Sequence, residues 1–379
     1  MIMLDLQKAF DTVDHNILCQ KLKSMGVKCT KWFESYLCDR QQKVCINGTE
    51  SDLKYIRCGV PQGSILGPLL FLCYVNDMTI SISKECKILL YADDSTILYS
   101  HKDPEVISKK LGMELQSCSK WLIDNKLSLH LGKTEAILFG SKSKLSKVRN
   151  FNVTCDNHTI SAQNSVKYLG LNIDKLLSGE KIIDNIIRKV NSRLKFLYRQ
   201  AKCLSETSRK TLVTALIQCH FDYACSAWYA GLNKKYKDKL QVLQNKCVRF
   251  IKESGYRSTI DDNVLKSIGY VNVENRVKQL RLNHVHKIYN HNCPSYMYQH
   301  FTKVRHKHNH ATRNSEYNFW VPPVKSNQKN TFYYNRIIDW NSLPNNIKCI
   351  KNLDRFKNSV KDHLMENSGS SSSQPFIFY

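Results

Sequence analysis

The first 140 residues switch repeatedly between short apolar runs and segments with helical spacing. Residues 1–6 form an apolar run that meets an acid at Asp5. Residues 14–25 carry Ile17, Leu18 and Leu22 at helical intervals, with Gly26 as a stop. Residues 42–47 and 55–60 read as two strands around the turn signal Asn47-Gly48. Residues 66–78 read as a buried helix. Residues 88–91 and 96–99 are short apolar strands, and Ala92-Asp93-Asp94-Ser95 between them predicts a tight hairpin. Residues 105–123 are helical, with Val106, Leu111, Leu115 and Trp121 available to a core, and residues 135–139 return as a strand. Strands and helices mixed without a strict βαβ rhythm predict an α+β fold, a sheet packed by helices.

The basic segment 141–149 reads as a connector at a domain edge. Beyond about residue 180 the pattern turns helical, over 182–200, 205–219 and 236–252, with aromatic residues interleaved among the cations. No internal repeat is visible. Low complexity is confined to residues 367–374, which predicts a flexible tail.

Composition narrows the class. The 379 residues are 42 % hydrophobic, enough for a sizeable core, which excludes wholesale disorder. The longest uncharged apolar run, 67–75, is far short of the ~20 residues a spanning helix needs. Asp5 and the lack of a basic leading segment argue against a signal peptide. The expectation is an intracellular protein of the nucleus or cytoplasm, neither secreted nor in a membrane. Fifteen cysteines are scattered without a C-x-x-C pair, so ribbon-type zinc and thioredoxin chemistry are not expected.

Charge then points to a partner. Lys and Arg number 57 against 32 Asp and Glu, a net +25. Residues 1–140 hold 17 basic and 16 acidic side chains, whereas residues 141–379 hold 40 and 16. An excess confined to the second part suggests a polyanion, most simply nucleic acid.

Within the balanced first part, Asp5 ends a strand-like run and Asp93 with Asp94 occupies a hairpin tip. Asp is also an ordinary turn and helix-cap residue. Together, however, the three offer the oxygen ligands that hard divalent cations take. Polymerases that transfer phosphoryl groups use two such ions about 4 Å apart.

Four segments then carry a family resemblance. Leu4-Asp-Leu-Gln-Lys-Ala-Phe-Asp-Thr-Val-Asp-His15 resembles the first palm motif of reverse transcriptases. Gly59-Val-Pro-Gln-Gly-Ser-Ile-Leu-Gly-Pro-Leu-Leu-Phe71 resembles the second, Leu90-Tyr-Ala-Asp-Asp94 the third, and Trp121 with Gly132-Lys-Thr-Glu135 the fourth. Their order and spacing are similar to those of the family. The first two motifs are most similar to jockey-like non-long-terminal-repeat retrotransposons. So are Val166-Lys-Tyr-Leu-Gly-Leu171, Phe221-Asp-Tyr223 with Trp228, and Asp339-Trp-Asn-Ser-Leu-Pro344.

The resemblance implies an antiparallel polymerase palm over 1–140. A palm–thumb connection and helical thumb would follow over 141–255, a basic C-terminal region over 256–366 and a flexible tail over 367–379. It implies RNA-directed DNA synthesis from deoxynucleoside triphosphates on an RNA template and DNA primer, with two Mg2+ ions or Mn2+ in their place. Asp5, Asp93, Asp94 and the Leu6 carbonyl would be the metal ligands. Phe10 would crowd the sugar 2′ carbon, and Pro61, Gln62 and Gly63 would line the nucleotide and template pocket. Lys133 would act near the leaving pyrophosphate. The fourth motif departs from its usual form at His130, where family members often carry Asn.

The family also places basic fingers, and in jockey-like elements an endonuclease, ahead of Asp5. The chain begins four residues before that acid, so weak or no activity is expected of this polypeptide alone. The alternative is a non-enzymatic nucleic-acid-binding remnant. In the basic part, Arg188, Lys195 and Arg199 fall along one stripe of the helix over 182–200, opposite Ile183, Ile187, Val190 and Leu194. Lys234 and Lys235 begin a lysine run that reads either as a phosphate-contacting loop or as a solvated one. Cys293, His300, His306, His308 and His310 form a weak zinc pattern.

Overall fold

The computed structural model describes residues 1–291, 294–306 and 316–367. The tail expected over 367–379, apart from Asn367, and Cys293, His308 and His310 lie outside the described residues. The chain divides into two compact units, Met1–Leu176 and Leu177–Tyr379. The segment 141–176, read from sequence as the start of the connection to the thumb, falls in the first unit.

In the first unit, β1 (Ile2–Leu4), α1 (His15–Ser24) and α2 (Thr30–Leu37) precede four two-residue strands. These are β2 (Gln41–Gln42), β3 (Cys45–Ile46), β4 (Thr49–Glu50) and β5 (Lys54–Tyr55). Then come α3 (Leu66–Val75), β6 (Lys87–Tyr91), β7 (Asp94–Leu98), α4 (Pro104–Asp124) and β8 (Glu135–Ala136). A short α5 (Lys142–Leu145) leads to two hairpins, β9 (Asn152–Cys155) with β10 (His158–Ser161) and β11 (Ser165–Tyr168) with β12 (Leu171–Asp174).

The central sheet is antiparallel in the order β6-β7-β1-β8. Its pleat sends Ile2, Leu4 and Ile97 into the main core, with Leu111, Leu115 and Leu122 of α4. Met3 and Leu98 belong instead to a smaller cluster with Ile137 and Val166. The sequence of α4 explains its length. Asp103 caps it by accepting from the Glu105 amide, Pro104 occupies the first turn, and buried residues recur at 107, 111, 115, 118 and 122. Gly112 lets the helix touch β9: a Cβ there would lie 2.6 Å from the Thr154 carbonyl oxygen.

Three sequence expectations change. In place of two strands over 42–47 and 55–60, β3–β4 turns at Asn47-Gly48 inside an outer β2–β5 ladder. Asn47 and Gly48 have φ of 50° and 83°, the left-handed pair a two-residue hairpin requires. The strand expected over 135–139 is a ladder only at β8; beyond it, the Ile137 amide donates to the Met1 carbonyl at 2.9 Å. The helix expected over 205–219 is interrupted.

In the second unit, α6 (Glu180–Tyr198) is followed by α7 (Glu206–Val213), a π-helical turn (Thr214–Gln218) and α8 (Cys219–Asp222). Next are α9 (Cys225–Trp228), α10 (Lys234–Lys252), α11 (Asp262–Ser267), α12 (Val273–His291) and α13 (Ser295–Tyr298). α14 (Phe332–Asn341), α15 (Asn345–Lys348) and α16 (Leu353–Glu366) follow. Trp340, Phe319, Phe356, Leu282 and Ile288 build a core among α12, α14 and α16. Among the described residues, no helix is long and apolar enough to cross a membrane.

Candidate active site

The β1–β7 register pairs Ile2 with Ile97, Met3 with Thr96 and Leu4 with Ser95. The ladder ends there, with Asp5 and Asp94 the residues next to its last pair. On its other side Asp94 pairs with Tyr91, so Ala92 and Asp93 form the two-residue turn between β6 and β7. Ala92 takes a φ of 53° there. Strand pairing thereby brings Asp5 and Asp94, distant in sequence, to the same end of one ladder, with Asp93 in the adjoining turn.

The electrostatics bear the mark of that convergence. Burial and the charges of Asp93 and Asp5 raise the Asp94 carboxyl above its ordinary value. No ion pair or side-chain hydrogen bond of these three acids occurs among the described residues. Three oxygen-donor groups in mutual repulsion suit a hard divalent cation. Among the described residues, however, no three His, Cys, Asp or Glu side chains are already gathered around a metal position. The backbones meet while the carboxylates are not closed on one point.

Other contacts lace the motif segments together. The Asp5 carbonyl accepts from the His130 amide at 2.8 Å, and the Gln7 amide donates to the Ser128 carbonyl at 2.9 Å. Neither bond uses the Leu6 carbonyl. The Gly59 amide donates to the Val13 carbonyl at 2.7 Å, and the Val60 amide to the Phe10 carbonyl at 2.8 Å. Gly59 has φ 90°, and a Cβ on it would sit 2.8 Å from the Asp11 carbonyl oxygen. His15 Nε2 lies 2.8 Å from the Gly59 carbonyl. Asp14 caps α1 and pairs with Lys126 at 2.6 Å, tying the first motif to the fourth. Buried Tyr74 of α3 donates its hydroxyl to the Asn125 carbonyl at 2.6 Å.

Two adjoining cavities result. One, of about 530 Å³, is lined by Asp5, Leu6, Lys8, Thr12, His130 and Lys133. The other, of about 750 Å³, shares Lys8 and Thr12 and continues past Arg40, Arg57, Pro61 and Gln62. Gln62 donates to Asp11 at 2.8 Å. Asp93, Asp94, Gly63 and Phe10 line neither. The Phe10 ring is half-buried 4.4 Å from the Phe71 ring and packs against the main core. Lys8, Arg40 and Arg57 escaped the sequence reading, which looked for phosphate-gripping cations ahead of Asp5. Lys8 stands within the first motif, only three positions after that acid, and was a readable signal.

In the second unit, Arg188 and Lys195 are exposed on α6 and Arg199 at its C-terminal cap, while Ile182, Ile183, Ile186, Val190, Leu194 and Leu197 are buried and Ile187, expected among them, is half-buried. Lys234 and Lys235 are the first residues of α10 and so belong to a helix, which corrects the loop reading. With Lys239 and Lys246 they border a cavity of about 630 Å³ that also includes Val242 and Ile187.

Comparison with known proteins fits this geometry. Residues 1–173 of the chain match the family "Reverse transcriptase (RNA-dependent DNA polymerase)". Its relatives are polymerases of non-long-terminal-repeat retrotransposons. The "Probable RNA-directed DNA polymerase from transposon BS" of Drosophila melanogaster is 27 % identical over 67 % of this chain and 29 % of its own length. The "RNA-directed DNA polymerase from mobile element jockey" of the same species is 27 % identical over 65 % of this chain and 28 % of its own. A Popillia japonica "Retrovirus-related Pol polyprotein from type-1 retrotransposable element R2" is 26 % identical over 50 % and 33 %. The chain thus spans less than a third of the BS and jockey proteins. A telomerase structure from Candida tropicalis aligns with 73 % of this chain and 46 % of its own at 13 % identity, with a TM-score of 0.35. That likeness is too distant to bear on function.

Proposed function

We propose that this chain is the core of an RNA-directed DNA polymerase, extending a DNA primer from its 3′-hydroxyl with deoxynucleoside triphosphates on an RNA template. The observation that carries the reading is the β1–β7 ladder, which ends at Leu4 and Ser95 and so brings Asp5 and Asp94 to one end of the sheet, with Asp93 in the adjoining turn. Asp5, Asp93 and Asp94 would hold Mg2+, or Mn2+, with the Leu6 carbonyl as a further ligand. Bound there, two such ions would neutralise charge on the attacking and leaving oxygens.

The remaining work falls to the chain's own side chains. Lys133 brings an ammonium group to the Asp5 cavity, where it can protonate a leaving pyrophosphate. Lys8, Arg40 and Arg57 offer charge-assisted hydrogen bonds to phosphate oxygens beside Pro61 and Gln62. Gly63, next to Gln62, gives the template a side-chain-free approach. Phe10, seated on Phe71, presents a fixed ring to the sugar. In the second unit, Arg188, Lys195, Arg199, Lys234 and Lys235 would grip the template–primer duplex by its phosphates. We assign the first unit to the palm and the helices of the second to thumb and C-terminal region. Such substrates place its work in the nucleus or cytoplasm.

Primer extension on a homopolymer RNA template tests the proposal. The expected result is weak, divalent-metal-dependent synthesis that Asp93→Asn abolishes. Synthesis that survives Asp93→Asn contradicts it.

A further inference from the structure

A cavity of about 230 Å³ lies within the second unit, with walls from α7, the π-helical turn, α10, α12 and α16. Its floor is Gly269. Lys210 Nζ and Lys361 Nζ each lie 3.7 Å from the point where a side chain on Gly269 would begin, so the two ammonium groups are at most twice that distance apart. Gly269 has a φ of 70°, a conformation that favours glycine, and its missing side chain leaves the space between the two cations open.

Neither lysine's ammonium group has an ion-pair or hydrogen-bond partner among the described residues. The third cation of the cavity is different. Arg276 donates to Asp222 through Nε at 3.1 Å and Nη2 at 2.7 Å, so its charge is met. Two like charges brought together on separate helices without an acid repel each other, an arrangement that suits an anion placed between them. Neutral polar groups complete the wall: the Thr214 and Tyr270 hydroxyls are 2.7 Å apart, and buried Gln244 donates to the Val271 carbonyl at 2.9 Å.

We infer that this cavity binds a backbone phosphate of a single nucleic-acid strand, clasped between Lys210 and Lys361 over Gly269. Size and setting select that ligand. The volume is below the ~300 Å³ at which small-molecule pockets begin, so it suits one anionic group whose remainder lies outside. The outside is prepared: a groove of about 350 Å³ shares Lys210 and Thr214 and runs past Thr207 and Thr211, hydroxyls able to bond to sugar and phosphate oxygens. The unit around it holds 34 basic and 14 acidic residues, a field that draws a polyanion. The site lies outside the family-matched domain and does not depend on the proposed metal ligands.

The test is fluorescence anisotropy of the full chain with a labelled oligouridylate in EDTA, so that a failure of the polymerase reading leaves it intact. Lys210→Gln combined with Lys361→Gln should weaken binding about 5- to 20-fold and lower the slope of log affinity against log salt by about 1. Lys210→Arg with Lys361→Arg should stay within about threefold, because the charge is kept. Lys202→Gln with Lys351→Gln removes equal charge from exposed positions and should change affinity less than about twofold. Equal losses in the two Gln pairs, or no loss at Lys210 and Lys361, would overturn the inference. So would calorimetric binding of inorganic phosphate that the Lys210/Lys361 Gln pair abolishes while oligouridylate affinity is unchanged, since the site would then serve a free anion.

Discussion

In Met1–Leu176, 23 basic residues stand against 18 acidic ones, while in Leu177–Tyr379 the numbers are 34 and 14. The more balanced unit nevertheless concentrates unpartnered carboxylates at one end of a ladder, and the basic unit concentrates unpartnered lysines above a glycine. The first arrangement is built by backbone register, which carries Asp5 and Asp94 to the same end of the β1–β7 ladder. The second is built from side chains on separate helices and one loop. A site made by strand pairing leaves a trace in contiguous motifs; one made by helix packing leaves almost none.

The largest expected effect separates the two units. Asp93→Asn should lower primer extension on the order of 10²–10³-fold. Its affinity for oligouridylate in EDTA should stay within about twofold, because the grip lies in the other unit. A parallel loss of binding would break the division of labour. Next in size is Gly59→Ala. The added Cβ meets the Asp11 carbonyl in a left-handed backbone conformation, so urea melts should show a loss of about 2–3 kcal/mol.

A smaller effect runs in the opposite direction. Burial and the neighbouring acids hold the Asp94 carboxyl above 3.8, its ordinary value, so its ionised form costs stability. That cost is absent below 3.8, grows as pH rises toward the folded value, and is complete above it. Asp94→Asn should therefore raise Tm by about 1–2 °C at pH 7.5 without divalent metal, and not at pH 3. The smallest effect concerns Lys126, which is 64 % exposed in its pair with Asp14. Lys126→Ala should cost only about 0–1 kcal/mol in the same melts, whereas Asp14→Ala, which also removes the α1 cap, should cost about 1 kcal/mol more.

Much of the first unit was legible. The hairpin bearing Asp93 and Asp94 announced itself through two apolar runs around a short polar turn, and α4 through its cap and its buried stripe. The ladders over 41–55 were not, because all eight of their strand residues are exposed and show no alternation. The β9–β10 hairpin did alternate, with Val153, Cys155 and Ile160 buried around Asp156-Asn157, and was overlooked between stronger signals. The π-helical turn at 214–218 departs from the 3.6-residue period, so a period-based reading extends the helix straight through it. Of the site, the acids and Lys133 were readable as motif members. Arg40 and Arg57 were not, since only folding carries them to Pro61 and Gln62.

Mn2+ titration followed by electron paramagnetic resonance reads the convergence of the acids most directly. If Asp5 and Asp93 ligate together, the full chain binds Mn2+, and Asp5→Asn and Asp93→Asn each abolish most of that binding. Mn2+ binding that Asp5→Asn leaves untouched would contradict a shared metal site.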